Sequence, residues 1–249
     1  MDDSLRDNLY ADPRLAQFYD LANKWAPDFD FCTALAANAT SVLDLGCGTG
    51  ELTAALAPGR RVVGIDPAAA MLDVARARPG GDKATWVEGD ARHVRLDEKF
   101  DLIVLTGHTF QVFLTDADQS ALLATIAAHL APEGRFIFDS RNPYFSNNKE
   151  QGKEQTMHKI VHPKWGEVDA WCISIYDENT GILNYRNCFQ PDGQEAIEAE
   201  LEYIRYSPKD HLERLISDAG LCVDEWFGDW QGNANDAKSR EIIPLGKLA

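Results

Sequence analysis

The stretch that decides the fold is Ser41–Gly50, which reads SVLDLGCGTG. Val42, Leu43 and Leu45 form an apolar run that predicts a buried strand. The three glycines that follow at alternate positions predict a turn in which backbone groups, rather than side chains, contact a ligand. A helical pattern begins at Glu51, and the free N–H groups of its first turn would point into that loop. The segment therefore predicts a strand, a glycine-rich loop and a helix around a nucleotide-like cofactor.

The spacing of the glycines separates this loop from a dinucleotide site. Dinucleotide loops read G-x-G-x-x-G and seat a pyrophosphate at the helix N-terminus. Here the spacing is G-x-G-x-G, and Glu51 takes the place of the last glycine. A carboxylate there would repel a pyrophosphate, and Asp44 before the loop adds a second negative charge. The loop is therefore expected to suit a cationic group, and an NAD-dependent oxidoreductase is kept as an alternative.

The segment closely resembles motif I of the class I S-adenosylmethionine-dependent methyltransferases, whose cofactor carries an ammonium and a sulfonium and no phosphate. Arg61–Asp66 (RVVGID) resembles the second strand, which ends in an acid about 20 residues beyond the first loop glycine. Thr85–Asp90 (TWVEGD) and Phe100–Thr106 (FDLIVLT) resemble the third and fourth strands. The resemblance implies SN2 transfer of a methyl group from S-adenosylmethionine to an oxygen or nitrogen of a small molecule. A catalytically silent module that binds the same cofactor would share these motifs and is a second alternative.

The resemblance also assigns the cofactor contacts. Asp66 is expected to bind the ribose hydroxyls, and Pro67 and Met71 to line the adenine pocket. Tyr19, in YDLANKW, is expected to close over the sulfonium, with Trp25 behind it in the core. The expected cofactor-binding residues are Tyr19, Asp44, Gly46, Cys47, Gly48, Thr49, Gly50, Asp66, Pro67, Met71, Asp90 and Ala91 at the adenine edge, Thr106 and Gly107.

Acceptor residues are expected just past the carboxyl ends of the fourth and fifth strands, where ligands sit in open α/β sheets. His108 could act as a general base near neutral pH or simply hydrogen-bond a loop. Arg141 follows the predicted fifth strand, Gly134–Asp139 (GRFIFD), and could orient a polar acceptor or cap the strand. His108 and Arg141 are therefore the candidate catalytic residues. The candidate acceptor contacts are Asn142, Tyr144 and Trp230, the last by a cation–π interaction.

Strand and helix patterns such as Ala69–Ala77 alternate and predict an α/β fold: a Rossmann-like, seven-stranded, mainly parallel sheet with helices on both faces. Residues 1–140 are predicted to hold the N-terminal helices and the cofactor-binding core. Residues 141–206 turn to aromatic and β-branched residues in near alternation and predict an antiparallel β insertion before the last helix. This meander would form a lid or acceptor platform, with 141–155 as a mobile flap. Residues 207–249 would complete the core with the final helix and last strands.

The amino-acid composition limits the kinds of partner that the protein is expected to bind. The chain of 249 residues has a formal net charge of −16, from 40 acidic and 24 basic residues. Nucleic-acid binding rests on clustered Lys and Arg, so a small-molecule acceptor is expected and no nucleic-acid partner. No basic, apolar leader and no apolar run of roughly 18 residues is visible, so no membrane partner and a cytoplasmic location are expected. Composition says nothing about oligomeric state.

Metal and disulfide chemistry are not expected. His158 and His162 have metal-ligand spacing but no accompanying carboxylate group, and Thr106 stands where metal-dependent catechol-type methyltransferases carry an acid. The five cysteines show no C-x-x-C spacing and are expected to be reduced thiols. Of these, Cys172 and Cys188 could face each other across a hairpin.

Overall fold

The computed structural model describes residues 12–145 and 150–249. Its helices are α1 (Pro13–Ala22), α2 (Pro27–Leu35), α3 (Glu51–Leu56), α4 (Ala69–Ala77), α5 (Asp116–His129), α6 (Lys153–Thr156) and α7 (Lys209–Asp218). Its strands are β1 (Ser41–Leu45), β2 (Arg61–Asp66), β3 (Thr85–Glu88), β4 (Phe100–Leu105), β5 (Leu130–Phe138), β6 (Ser140–Arg141), β7 (His158–His162), β8 (Gly166–Asp177), β9 (Ile182–Pro191), β10 (Ile197–Glu198), β11 (Glu202–Arg205), β12 (Leu221–Phe227) and β13 (Glu241–Leu248).

The central sheet has the order β12-β13-β5-β4-β1-β2-β3, and the short β6 also pairs with β13. The strands from β5 to β3 are parallel to one another, whereas β13 runs antiparallel to both β5 and β12. The predicted Rossmann-like sheet is therefore confirmed. The strand order reverses between β1 and β4, and a ligand crevice opens at such a switch point.

Both faces of this sheet are covered, which explains the unbroken apolar run of β1. Leu43 and Leu45 are buried in one cluster with residues of α5 and α7. Val42 points to the other face and packs in a second cluster with residues of α2 and α3. A strand that is buried on both faces needs apolar residues at successive positions rather than at alternate ones.

The fifth strand begins earlier than its sequence predicts. β5 starts at Leu130 instead of Gly134, and its register with β4 jumps from Leu130 opposite Phe100 to Arg135 opposite Leu102. The Pro-Glu-Gly segment between these pairs forms an irregularity inside the strand and does not precede it. A side chain on Gly134 would meet the Phe100 carbonyl oxygen at 2.7 Å, so glycine is required at this close approach.

The inserted residues form a second, antiparallel sheet of order β10-β9-β8-β7, with β11 also paired to β9. β7 lies within the predicted insertion, ahead of the first strand pattern that the sequence shows there. Helix α1 joins this sheet to the core: the Phe18 ring stacks on Phe189 at 4.3 Å, while Ala16 packs beside Met71 of α4. The pairing of β8 with β9 sets Cys172 opposite Asn187 and Cys188 opposite Trp171. The two cysteines therefore do not face each other, and both are free.

The segment predicted to be a mobile flap is described only in part. Its described portions contain β6, a bridge between Gln151 and Ser174, and the start of α6. Residues 146–149 of the predicted flap lie outside the described residues. Within 12–145 and 150–249, no helix has the length and apolar character needed to span a bilayer.

Candidate active site

A cavity of about 1140 Å³ lies between the carboxyl edge of the parallel strands, helix α1 and the antiparallel sheet. This exceeds the ~300–1,000 Å³ of ordinary small-molecule sites, so a cofactor and an acceptor can occupy it together. The expected cofactor residues on its wall are Tyr19, Gly46, Gly48, Asp66, Pro67, Met71, Asp90, Ala91 and Gly107. Both candidate catalytic residues, His108 and Arg141, also line it.

The glycine loop has backbone conformations and contacts that exclude side chains. Gly46, Gly48 and Gly50 have φ values of 76°, 54° and 73°, in the left-handed region that favours glycine. A Cβ on Gly46 would overlap the Thr109 side chain, and one on Gly50 would overlap the Trp86 ring. The loop therefore leaves bare backbone on the cavity wall.

Asp66 ties the end of β2 to this loop. Its Oδ2 accepts the Gly48 N–H at 2.8 Å, and its Oδ1 accepts the Ala68 N–H at 2.9 Å. The residue is buried, yet it lines the cavity, and each carboxylate oxygen has lone-pair capacity for a ligand hydroxyl. This is the geometry expected of a ribose-binding acid.

Tyr19 reaches across the loop from α1. A Cβ on Gly48 would lie 3.8 Å from its ring Cε1, and one on Gly107 would lie 3.9 Å from its hydroxyl. Burial raises the pKa of Tyr19, with the Tyr185 hydroxyl and Asp66 adding to the effect, so the phenol is neutral. Trp25, expected in the core behind Tyr19, is instead 42% exposed, and its Nε1 donates to Asp30.

The sequence predicted that Asp44 and Glu51 would bring negative charge to the cofactor loop, but neither side chain lines the cavity. Asp44 is buried beneath the loop, where its Oδ2 accepts the Thr53 hydroxyl, and burial raises its pKa to about 7. Glu51 lies 4.0 Å from the Arg78 guanidinium, away from the cavity wall. The acidic groups on the wall beside the glycine loop are Asp66 and Asp90. Burial raises the pKa of Asp90, but hydrogen bonds from Arg92 outweigh this, and the net shift is downward.

The other expected cofactor residues, Cys47, Thr49, Gly50 and Thr106, do not line the cavity. The Thr49 hydroxyl donates to Asp20 at 2.5 Å, and the Thr106 carbonyl accepts from the Thr109 hydroxyl at 2.9 Å. Burial raises the pKa of the Cys47 thiol well above its ordinary value, so the sulfur stays protonated. These residues lie in the glycine loop or just past β4, and none of them lies on the cavity wall.

His108 sits at the end of β4 in a left-handed conformation, φ 64°, which is rare outside glycine. Its backbone N–H donates to Asp139 Oδ1 at 3.0 Å. Its Nε2 lies 3.2 Å from Glu241 Oε2 and 3.5 Å from Asp139 Oδ2. Nδ1 has no hydrogen-bond partner among the described residues. We therefore place a hydrogen on Nε2, facing the two carboxylates, and Nδ1 can accept a proton when it carries none.

Three carboxylates surround this histidine. Burial raises the pKa of Asp139; the charge of His108 opposes that shift and Glu241 adds to it. Burial also raises the pKa of Asp28, against the charge of His108, and Asp28 Oδ1 has no hydrogen-bond partner among the described residues. When they are ionised, these acids give this end of the cavity a negative potential, which favours a cationic ligand beside them.

A cluster that includes His108 bears on the expectation that the protein needs no metal ion. His108, Asp139 and Glu241 each bring one ligand atom to within 4.8 Å of the others, a spacing that could hold a cation. The histidines singled out by spacing are apart from it: His158 is exposed, and His162 stacks on Trp165 at 4.5 Å. That the protein needs no metal stays a prediction.

Three candidate acceptor contacts lie off the cavity wall. Asn142 is buried, donates its side-chain amide to the Ser239 carbonyl at 2.8 Å and accepts the Tyr144 N–H at 3.0 Å. Tyr144 is 75% exposed. Trp230 packs edge-on against Phe31, with the ring centres 5.7 Å apart, in the cluster on the face of the sheet that α2 and α3 cover. The structure therefore does not support a cation–π contact with an acceptor there.

The sequence analysis did not identify the two acids beside His108, Asp139 and Glu241. It also missed the aromatic wall of the cavity that faces the glycine loop. Glu241 begins β13, and because β13 is antiparallel to β5, its first residue lies at the edge where β5 ends. Asp139 follows β5 directly, a position that the strand-end argument could have included. The missed aromatic wall belongs to the antiparallel sheet and comprises Trp171, Tyr185, Phe189, Tyr203 and Tyr206.

The chain is similar to known methyltransferases. Residues 42–134 match a family profile described as a methyltransferase domain. Cypemycin N-terminal methyltransferase from a Streptomyces species is 38% identical over 204 residues, which cover 82% of this chain and 81% of the relative.

Solved structures share the fold. The CcbJ methyltransferase from Streptomyces caelestis has a TM-score of 0.77 at 21% identity, over 97% of this chain and 98% of that one. CalS10 from Micromonospora echinaspora, an amino pentose methyltransferase solved with S-adenosylmethionine, has a TM-score of 0.70 at 20% identity, over 98% and 99%. The chain belongs to the class I S-adenosylmethionine-dependent methyltransferases.

Proposed function

We propose that this enzyme transfers the methyl group of S-adenosylmethionine to an amine nitrogen of a small acceptor bound in the cavity. The observation that carries the proposal is the 38% identity, over most of both chains, to a relative named for N-terminal methylation. An N-terminus is an amine, and the acids around His108 favour a cationic ligand at the same place.

The cavity residues fit the cofactor. The bare backbone of Gly46 and Gly48 leaves space for its amino-acid portion, and Asp66 offers acceptors to the ribose hydroxyls. Asp90 and Met71 would flank the adenine. When bound, S-adenosylmethionine supplies an activated methyl group, which the acceptor's lone pair takes as the carbon–sulfur bond breaks. Tyr19, across the loop, would shelter the methyl group from water.

His108 would remove the proton that blocks an amine acceptor. A primary amine is largely protonated at neutral pH and has no lone pair until it loses that proton. Nδ1 of His108 can accept it, while Glu241 and Asp139 hold the Nε2–H and stabilise the imidazolium that forms.

The decisive experiment is the formation of S-adenosylhomocysteine with matched amines, phenols and carboxylates, with the methylated atom located by mass spectrometry. We expect turnover with amines, and no change on adding EDTA. Turnover confined to phenols or carboxylates would overturn the nitrogen assignment. Cofactor binding without turnover of any class would favour the silent module.

A further inference from the structure

Arg141 is the feature of the cavity that methyl transfer alone does not explain. It is half-buried, it lines the cavity, and it forms no ion pair with any carboxylate of residues 12–145 and 150–249. The chain carries 40 acidic residues against 24 basic ones, so a counter-ion is available to most arginines. An unpaired guanidinium on the wall of a large cavity is placed to bind an anion of the ligand.

The other two arginines on the cavity wall are neutralised within the protein. Arg92 pairs with Asp90 at 2.5 Å and with Asp118 at 2.7 Å. Arg240 is mostly exposed, and its Nε lies 3.6 Å from Glu241 Oε1. Neither guanidinium combines half-burial with the lack of a carboxylate partner among the described residues, as that of Arg141 does.

The acid nearest to Arg141 along the sheet is engaged elsewhere. Strand pairing sets Glu241 directly opposite Arg141. The Glu241 carboxylate nevertheless turns to His108 Nε2, at 3.2 Å. The arrangement thus keeps one acid for the histidine and leaves the arginine's charge available.

Arg141 is also held in place. Its backbone N–H donates to the buried Gln111 Oε1 at 3.2 Å, and its guanidinium carbon lies 5.9 Å from the centre of the Tyr206 ring. Tyr206 is buried and directly follows β11. An arginine packed against an aromatic ring loses less rotamer freedom when it binds a ligand.

Its position along the sheet edge assigns it to the acceptor. Asp90, Asp66 and the glycine loop follow β3, β2 and β1, whereas His108 follows β4 and Arg141 lies beyond β5. The expected cofactor contacts and Arg141 are therefore on opposite sides of His108.

We propose that Arg141 binds an oxyanion of the acceptor, a carboxylate or a phosphate, while the amine to be methylated lies at His108. The acceptor would then be an amine that carries an acid group. This inference rests on the proposed transfer to an acceptor in the same cavity.

Matched acceptors test it. Alanine against alaninamide, and glucosamine 6-phosphate against glucosamine, change the anion and keep the amine. We expect wild type to favour the anionic member of at least one pair, and Arg141→Gln to lose about 10- to 100-fold in kcat/KM for it, mainly through KM. The pair that responds tells carboxylate from phosphate. Arg186→Gln, which removes an exposed, ion-paired arginine, should leave the preference intact. A preference that survives Arg141→Gln would overturn the proposal, as would a loss of S-adenosylhomocysteine binding in that variant.

A binding measurement separates this inference from the proposed function. Inorganic phosphate and acetate are titrated into the complex with S-adenosylhomocysteine, and the arginine Nε–H resonances are followed by NMR. The resonance missing from Arg141→Lys should shift saturably with at least one anion, even if no amine is methylated. If that resonance is unmoved by both anions, Arg141 is not an anion site.

Discussion

The two halves of the cavity are built differently. On the cofactor side, the glycine loop, Asp66 and Asp90 lie in one stretch from β1 to just past β3, and Asp66 accepts the Gly48 N–H. On the acceptor side, His108 meets Glu241, which is 133 positions away along the chain, and the opposite wall comes from a separate sheet. The cofactor half is thus local in sequence and the acceptor half is not. If this division is functional, variants on each side should impair different steps.

The largest effect is expected on the acceptor side, from His108→Asn. Asparagine tolerates the left-handed backbone, so the loop should keep its shape while the proton acceptor is lost. We expect kcat with an amine to fall by about 10²- to 10³-fold, within the range for loss of a general base. Steady-state kinetics at saturating cofactor measures this. A fall of less than threefold would remove His108 from the chemistry.

On the cofactor side, Asp66→Ala should weaken S-adenosylhomocysteine binding by about 100-fold, because hydrogen bonds of a charged group are lost. Isothermal titration calorimetry gives the dissociation constant. Asp73→Asn, which alters an exposed acid paired with Arg76, is the matched control and should bind as wild type does. Wild-type affinity in Asp66→Ala would show that the ribose acid has been misplaced.

Asp44 tests the distinction between acids that line the cavity and acids that are buried beneath the glycine loop. Its pKa is about 7 in the fold and ordinarily 3.8, so the folded state takes up a proton between these values. The stability that this proton supplies is present at low pH and is lost as the pH rises through about 7. Asp44→Asn should remove a fall in unfolding free energy on the order of 2 kcal/mol between about pH 5 and pH 8. Urea unfolding across that range measures it; identical pH profiles would contradict the burial argument.

Glu241→Gln should have the smallest effect. Glutamine can still accept the Nε2–H but removes the negative charge nearest the imidazole, so the imidazolium is stabilised less. We expect kcat/KM with an amine to fall by about 10-fold or less. Steady-state kinetics measures this, and a kcat/KM unchanged from wild type would remove Glu241 from the proton transfer. Asp28 and Asp139 remain in the variant and limit the loss.

The same division explains what could be predicted from the sequence. The bounds of β2 and α4 agree with the prediction because a buried strand and its following helix are specified by nearby residues. The charge argument for Asp44 and Glu51 favoured the right cofactor although neither side chain lines the cavity, since sequence cannot show which way a side chain points. The β5 start was missed because pairing with β4 overrides the local Pro-Glu-Gly turn signal.

The residues on the acceptor side of the cavity were harder to predict because of the sheet topology. The sequence placed Arg141 and His108 near the cavity because they follow parallel strands, but Glu241 begins a strand and reaches the same edge only because β13 is antiparallel. The sequence could not place Trp230, because an aromatic residue beside an acid has the same pattern in a core as in a cation site. Its packing against Phe31 depends on α2, far away in the chain.

The central claim is that the two halves of the cavity carry separate steps, and one measurement tests it directly. Turnover of an amine by Asp66→Ala and His108→Asn is followed as the S-adenosylmethionine concentration is raised to saturation. The account predicts that Asp66→Ala recovers to within several-fold of the wild-type rate while His108→Asn does not recover at all. If both variants recover, or if Asp66→Ala stays as slow as His108→Asn at saturation, the two halves do not divide binding from chemistry.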